Sequence, residues 1–315
     1  MVLRFLTRLG VLLISLAVSS VVVFGFMAVL PGSPARVALG VGATDEAVAA
    51  MEKTYGLDQS LPAQYLDWVS GLVRFDLGES YISGAAIGPQ VWDRFQVTLW
   101  LVVCAIVLAL VVAVPLGTLM AVRHRNLSGM LLSAFSQLGV AIPAFLAALL
   151  LVAVFAVGLN WLPSGGWTPP AYDPVLFLKQ LVLPVISLAL VQAAVLARYV
   201  RSAVLDVMRE DYIRTARAKG LTPMRALTRH GLRNAAIPVV TVLGLQLATL
   251  LIGAVVVERV FAIPGLGSGL LDAVAQRDLI LVQDIVMLLV AAVLVINFVV
   301  DLLYALIDPR LRGAA

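Results

Sequence analysis

Few residues in this chain could do chemistry, and their spacing argues against catalysis. A phosphate-binding loop needs glycines for close backbone approach and a lysine that reaches the phosphates. The lysines are Lys53, Lys179 and Lys219, preceded by Glu52, Leu178 and Ala218, so GxxxxGK[ST] does not occur and ATP, if used, is hydrolysed elsewhere. His124 and His230 stand far apart and neither belongs to HExxH, so protease-type zinc ligation fails and both are expected at an ordinary surface. The single cysteine, Cys104, permits no intrachain disulfide and no multi-cysteine metal site. A gradient-driven carrier keeps ionisable residues near mid-bilayer, where charge is costly. Here the apolar runs offer little more than Asp301, with Asn297 one helical turn earlier on the same face. These two, together with Gln246, are candidates for lining a polar path; a helix-packing hydrogen bond is the alternative reading of the pair. No catalytic, cofactor-binding or metal residue is expected. Glu258, at a span boundary, is expected to be solvated or to anchor a loop.

The elements that would position such residues are set by composition. Of 315 residues, 62% are apolar and 13% charged, and the mean hydropathy is +1.03. Globular chains run near 45–50% and about 25%, so there is too little polar surface to face water. Six windows are long and apolar enough to cross a bilayer: 9–30, 97–122, 130–157, 181–199, 236–257 and 284–306. The first follows Arg4 and Arg8 like a signal peptide, but a cleaved signal has an apolar stretch of only about 7–15 residues, so a retained span is expected. The predicted fold class is an all-α membrane protein with six transmembrane helices. Pro115, Pro143 and Pro184 fall within the spans and are positioned to kink them. The expected organisation is 1–30 as N-terminal end and first span, 31–96 as an outer helical segment, 97–310 as the core that holds the other five spans and 311–315 as a tail.

Orientation follows from the basic residues. With the N-terminus inside, the inner segments hold Arg4, Arg8, Arg123, Arg125, nine basic residues from Arg198 to Arg233, Arg310 and Arg312, which is 15 of the 22. The other side holds seven, outnumbered there by thirteen Asp and Glu. Both termini are therefore expected in the cytoplasm, and the net charge of +4 is a topology signature that implies no nucleic acid partner. Segment 31–96 opens on the turn-prone Pro31, Gly32, Ser33 and Pro34, and two short helices are predicted in it. Thr44 caps the first, over Asp45–Tyr55, and Gly56 stops it. The second starts near Leu61 with Pro62 in its first turn, and Leu61, Tyr65, Trp68, Val69 and Leu72 share one face. That face lies on lipid headgroups or packs over the bundle mouth; packing is expected.

The stretch 200–235 reads as helix, turn, helix. Gly220 is placed for a left-handed cap, Thr222 caps the second helix and Pro223 suits its first position. Tyr212, Ile213, Ala216, Leu221, Met224 and Leu227 make an apolar stripe, while Arg214, Arg217, Lys219, Arg225 and Arg229 stay polar. A basic helix-turn-helix invites a DNA-binding reading, but spans tether both ends within a few residues and forbid entry into a groove. A rigid amphipathic hairpin under a membrane is instead suited to press on a soluble partner.

This stretch resembles the cytoplasmic "EAA" loop of ABC-importer permeases, in the version of the dipeptide, oligopeptide and nickel branch. Arg214 to Leu221 and His230 to Pro238 carry the likeness, although Arg214 and Thr215 stand where the general motif has Glu and Ala, and only Ala216 and Gly220 match it. Further blocks agree in order: LPGSPAR from Leu30, YGLDQSLPAQYLDW from Tyr55, FDLGES from Phe75, ERVFAIPGLG from Glu258, RDLILVQ from Arg277 and DLLYALIDPRLR from Asp301. The resemblance implies the type I ABC importer transmembrane-domain fold in a bacterial or archaeal plasma membrane. It implies a homologous permease as heterodimeric partner, two nucleotide-binding ATPase subunits or a fused one that hold ATP and Mg, an extracytoplasmic peptide-binding protein, and membrane lipid. The coupling residues it implies are Arg214, Thr215, Ala216, Arg217, Lys219, Gly220, Leu221, Met224 and Leu227. Cargo stays open between dipeptides, longer peptides and nickel complexes, and a stand-alone secondary transporter is the alternative from another class.

Overall fold

The computed structural model describes residues 2–29, 33–40 and 42–307, with side chains described over 5–29, 33–40 and 42–302. The expected tail, Pro31, Gly32, Arg310 and Arg312 lie outside these, as does the side chain of Arg4. In chain order the helices are α1 (Val2–Val29), α2 (Pro34–Leu39), α3 (Asp45–Thr54), α4 (Leu61–Val73), α5 (Ile87–Val122), α6 (Leu127–Ala141), α7 (Ala144–Leu151), α8 (Pro174–Met208), α9 (Asp211–Ala218), α10 (Pro223–Ala226), α11 (Leu232–Val260), α12 (Leu266–Gln276) and α13 (Leu279–Ile307). Among the described residues the only β pairing is an isolated bridge between Glu79 and Ala86.

Among the described residues five helical stretches are long and apolar enough to cross a membrane, and α6 with α7 makes a sixth when the bent pair is one span. The window 130–157, expected as one run, is broken: α6 and the stretch Ala144–Gly158 meet at 98°. The cause is local. Ile142 precedes Pro143, whose ring crowds a helical conformation there, and Ile142 is extended at φ −86°, ψ 119°. Pro115 and Pro184 leave α5 and α8 continuous, as neighbouring helices in a bundle allow.

The chain packs as two units. The first comprises Met1–Phe5, Leu99–Ile263 and Ile296–Ala315. Its centre is α8, which packs against α11, α6 and α7 and is buried on most sides through its middle, with buried residues from Phe177 to Val207. The Ser136 hydroxyl donates to the Ala194 carbonyl at 2.9 Å, a small-residue crossing that lets α6 sit close on α8.

The second unit comprises Leu6–Thr98 and Pro264–Val295. Its core is Ile87, Val91, Leu266, Ala273, Leu281, Val282 and Ile285. Thr44 and Gly56 bound α3 as expected: Thr44 Oγ1 accepts from the Ala47 amide at 3.3 Å, and Gly56 takes φ +66°. A third short helix, α2, corrects the two-helix expectation; Pro34, read as a turn residue, occupies its first turn and the Ser33 hydroxyl accepts from the Arg36 amide. The α4 face makes contacts with α1, although none of its residues is fully buried. Tyr65 hydrogen-bonds Ser20 at 2.9 Å, Phe24 lies on Tyr65 and Trp68 at 5.4 and 6.1 Å between centroids, and Leu61 stays exposed.

Candidate functional site

The elbow from Asp211 to Gly231 is built on local rules. Helix α9 ends in a Schellman arrangement: the Leu221 amide donates to the Ala216 carbonyl at 3.3 Å and the Gly220 amide to the Arg217 carbonyl at 2.9 Å. Gly220 takes φ +89°, and a Cβ there would meet nothing within 4 Å, so glycine answers to backbone conformation rather than space. Thr222 then caps α10 through the Arg225 amide, with Pro223 behind it. A π-helical turn, Leu227–Gly231, joins α10 to α11.

The expected apolar stripe does not stand free. Ile213, Ala216, Ala226 and Leu227 are buried in one cluster with Val200, Ala203, Val204 and Val207 of α8 and Ala235 and Val239 of α11; Leu221 packs at its edge. Asn234 Nδ2 donates to the Tyr212 hydroxyl at 2.9 Å, a second tie to α11. Of the coupling residues implied by resemblance, Ala216, Leu221 and Leu227 therefore hold the elbow in place. Arg214, Thr215, Arg217, Lys219 and Gly220 are exposed, and Met224 is 38% exposed. Arg214 pairs with Asp211 one turn back. The outer surface of the elbow is thus polar and cationic with a single thioether.

The candidate path residues lie on α11 and α13. Gly244 of α11 packs on Val300 of α13, so the two helices adjoin at this level. Gln246 and Asp301 are half-buried and Asn297 is exposed. Glu258 is fully buried, which corrects the solvated reading. His124 shares a 2.8 Å hydrogen bond with the Ala121 carbonyl, and His230 is exposed. Among the described residues no group of three His, Cys, Asp or Glu is placed to hold a metal.

A second polar cluster escaped the sequence reading, although its blocks FDLGES and RDLILVQ were both noticed. The Ser80 hydroxyl donates to Asp278 Oδ2 across 198 residues of sequence, and itself accepts from the Ile82 and Ser83 amides at 3.2 and 3.0 Å. Trp68 Nε1 donates to Asp284 Oδ1 at 2.8 Å. Tyr81 lies against Tyr55 with the rings tilted by 54° and 4.7 Å between centroids, and burial pushes its phenol up to about 12, with the Asp284 and Asp278 carboxylates adding to the shift. Two acidic residues at the mouth of one apolar run were the available signal, but pairing them with Ser80 and Trp68 required the fold.

Comparison with known proteins shows the family and the fold. Residues 113–313 match the family described as binding-protein-dependent transport system inner membrane component, and residues 2–102 match its N-terminal companion. The glutathione transport system permease protein GsiC of Escherichia coli O6:H1 (strain CFT073) is 40% identical over 308 residues, 97% of each chain. The protein of the same name from Pectobacterium atrosepticum is 39% identical over 98% of each chain. A solved chain of the inward-facing MetNI methionine ABC transporter superposes with TM-score 0.59 at 20% identity, covering 69% of this chain and 96% of that one, which shows the type I importer transmembrane fold. The chain belongs to the family of binding-protein-dependent ABC importer permeases, the inner-membrane components through which cargo crosses.

Proposed function

We propose that this chain forms half of a translocation path for di- and oligopeptides, moved inward at the expense of ATP bound with Mg by separate ATPase subunits. Its partners are a homologous permease in a heterodimer, two nucleotide-binding subunits or one fused pair, an extracytoplasmic peptide-binding protein, and the surrounding lipid. Both termini and the elbow lie in the cytoplasm, with segment 31–96 outside; the excess of basic residues on the elbow side supports that orientation. The chain itself is non-catalytic, and residues 97–310 form the permeating core with the coupling loop at 200–235. The peptide reading draws on the relatives, whose names give glutathione, a tripeptide, as cargo.

One observation carries the coupling role: the elbow buries its apolar side in α8 and α11 and turns Arg214, Thr215, Arg217, Lys219, Gly220 and Met224 outward. A lever anchored so can pass a push from a nucleotide-driven subunit into two long helices. Nucleotide and cargo must then each prefer one of two helix arrangements, since a ligand of equal affinity for both shifts nothing. Gly220→Trp is expected to abolish uptake and cargo-stimulated ATPase activity while leaving membrane insertion intact; normal uptake with normal stimulation removes the elbow from the mechanism. Competition against labelled dipeptide uptake settles cargo: unlabelled di- and tripeptides are expected to compete and a nickel complex to fail. Asn297, Asp301 and Gln246 remain proposed linings of the path.

A further inference from the structure

Arg198 and Arg201 are cations without a counter-charge. They stand three positions apart on one face of α8, where like charges repel. Among the described residues neither side chain makes an ion pair or a hydrogen bond; Arg198 is exposed, and Arg201 is half-buried with its Nε enclosed and without an acceptor. The sequence supplies no remedy nearby. No Asp or Glu occurs across 94–172 or 174–205, which takes in most of α5, all of α6 and α7, and α8 as far as Leu205. Asp206, the next acid along α8, is exposed and turned about 140° from Arg201 around the helix. On α11 the sole acid, Glu258, lies at the opposite end.

Close packing fixes where the pair stands. A Cβ at Gly117 of α5 would lie 2.5 Å from the Ala197 carbonyl oxygen, and one at Gly139 of α6 would lie 2.9 Å from Ala194 Cβ. Both helices are thus clamped on α8 immediately before the arginines. Arg198 and Arg201 line a cavity of about 30 Å³ together with Met120 of α5 and Ser133, Ser136 and Gln137 of α6. Ser133 and Ser136 donate to the Gly129 and Ala194 carbonyls, which leaves the two arginines and Gln137 as the wall residues with uncommitted donors. One water needs about 10–15 Å³ of such space, so the cavity takes about two oxygen-sized groups, as many as the unesterified oxygens of a phosphate diester. Arg198 stands at the end of the apolar run 181–199 of α8, and Met120 near the end of the run 97–122 of α5. That is the level at which a bilayer presents its phosphates. Arginine matches phosphate oxygens in pairs, and basic pockets between spanning helices hold anionic headgroups.

We propose that this junction of α5, α6 and α8 binds a phosphate group, with Arg198 and Arg201 as its counter-charges and the headgroup of an anionic phospholipid as its source. The purified complex in neutral detergent is titrated with phosphatidylglycerol, with phosphatidylcholine and with inorganic phosphate, and thermal unfolding checks that each variant is folded. Wild type is expected to bind phosphatidylglycerol at least fivefold more tightly than phosphatidylcholine. Arg198→Gln and Arg201→Gln are each expected to weaken phosphatidylglycerol about fivefold, the worth of one arginine at an anionic membrane surface. Arg229→Gln removes an exposed cation of the elbow that does not line the cavity, and is expected to weaken it less than twofold. Arg198→Gln, at an exposed position, carries the test should the Arg201 variant not fold. Binding confined to phosphatidylglycerol supports the lipid source; inorganic phosphate bound as tightly, and lost in the same two variants, keeps the phosphate site but overturns the lipid. Equal binding of the two lipids without any binding of phosphate, or equal loss in all three variants, overturns the site. So does displacement of phosphatidylglycerol by glycylglycine but not by phosphate, which reassigns the cavity to a cargo carboxylate. The readout is binding alone, so its failure leaves the importer reading to the uptake assays above.

Discussion

The Tyr81 phenol stands beside two carboxylates in a desolvated place, and its ionised form is correspondingly disfavoured. Because the folded value is raised from 10.0 to about 12, the native state holds its proton where the unfolded chain has lost it. Stability from this residue is therefore full below pH 10 and is lost as pH climbs through about 12. Tyr81→Phe is expected to flatten that alkaline decline and to leave thermal unfolding at pH 7 nearly unchanged; an unaltered decline between pH 10 and 12 contradicts the assignment. Trp68 offers a complementary case. Phenylalanine there keeps a ring against Phe24 but withdraws the donor from Asp284 Oδ1, whose other oxygen is already without a partner. Leaving a buried acceptor unpaired costs about 1–3 kcal/mol, so Trp68→Phe should lower the unfolding temperature of the purified complex, whereas no shift disproves the bond's role.

Elements follow from local rules wherever the deciding residues are neighbours in sequence. Thr44, Gly56, Gly220, Thr222 and Pro223 mark helix ends in the chain and do so in the structure, because capping involves amides only two to five residues away. The bend at Ile142 needed more than the presence of a proline: Pro115, Pro143 and Pro184 look alike in sequence, and only one of them interrupts its helix. Helix α12 and the Ser80–Asp278 bond were hidden, the first between two apolar windows and the second in a long-range pairing that no periodicity reports. The elbow was legible in its two faces but not in which face stays covered. That division gives a prediction at this scale. Leu227→Ala, at 0% exposure, is expected to cost about 2–5 kcal/mol as a cavity opens beneath the elbow. Arg217→Ala, on the exposed side, is expected to change stability by no more than about 0.5 kcal/mol yet reduce cargo-stimulated ATPase activity. Thermal unfolding and ATPase assays on the same preparations separate the two; parity of both effects between the variants contradicts the division.

At the scale of the molecule, an apolar fraction of 62% and a lopsided placement of arginines describe a chain that lives in a membrane. Under the proposed function energy for transport arrives through contact with a partner, and the elbow, anchored on α8 and α11, is the surface proposed to receive it. On that proposal the basic residues put the contact on the cytoplasmic side, and the packing on α8 and α11 sets what a push there would move. The most direct measurement is site-specific crosslinking from the elbow in intact membranes. A cysteine at Lys219, an exposed position at the end of α9, is expected to form adducts with a nucleotide-binding subunit, with a yield that changes when ATP is added. Failure to capture any such subunit, or labelling of that cysteine by a membrane-impermeant reagent applied from outside the cell, contradicts the coupling role of the elbow.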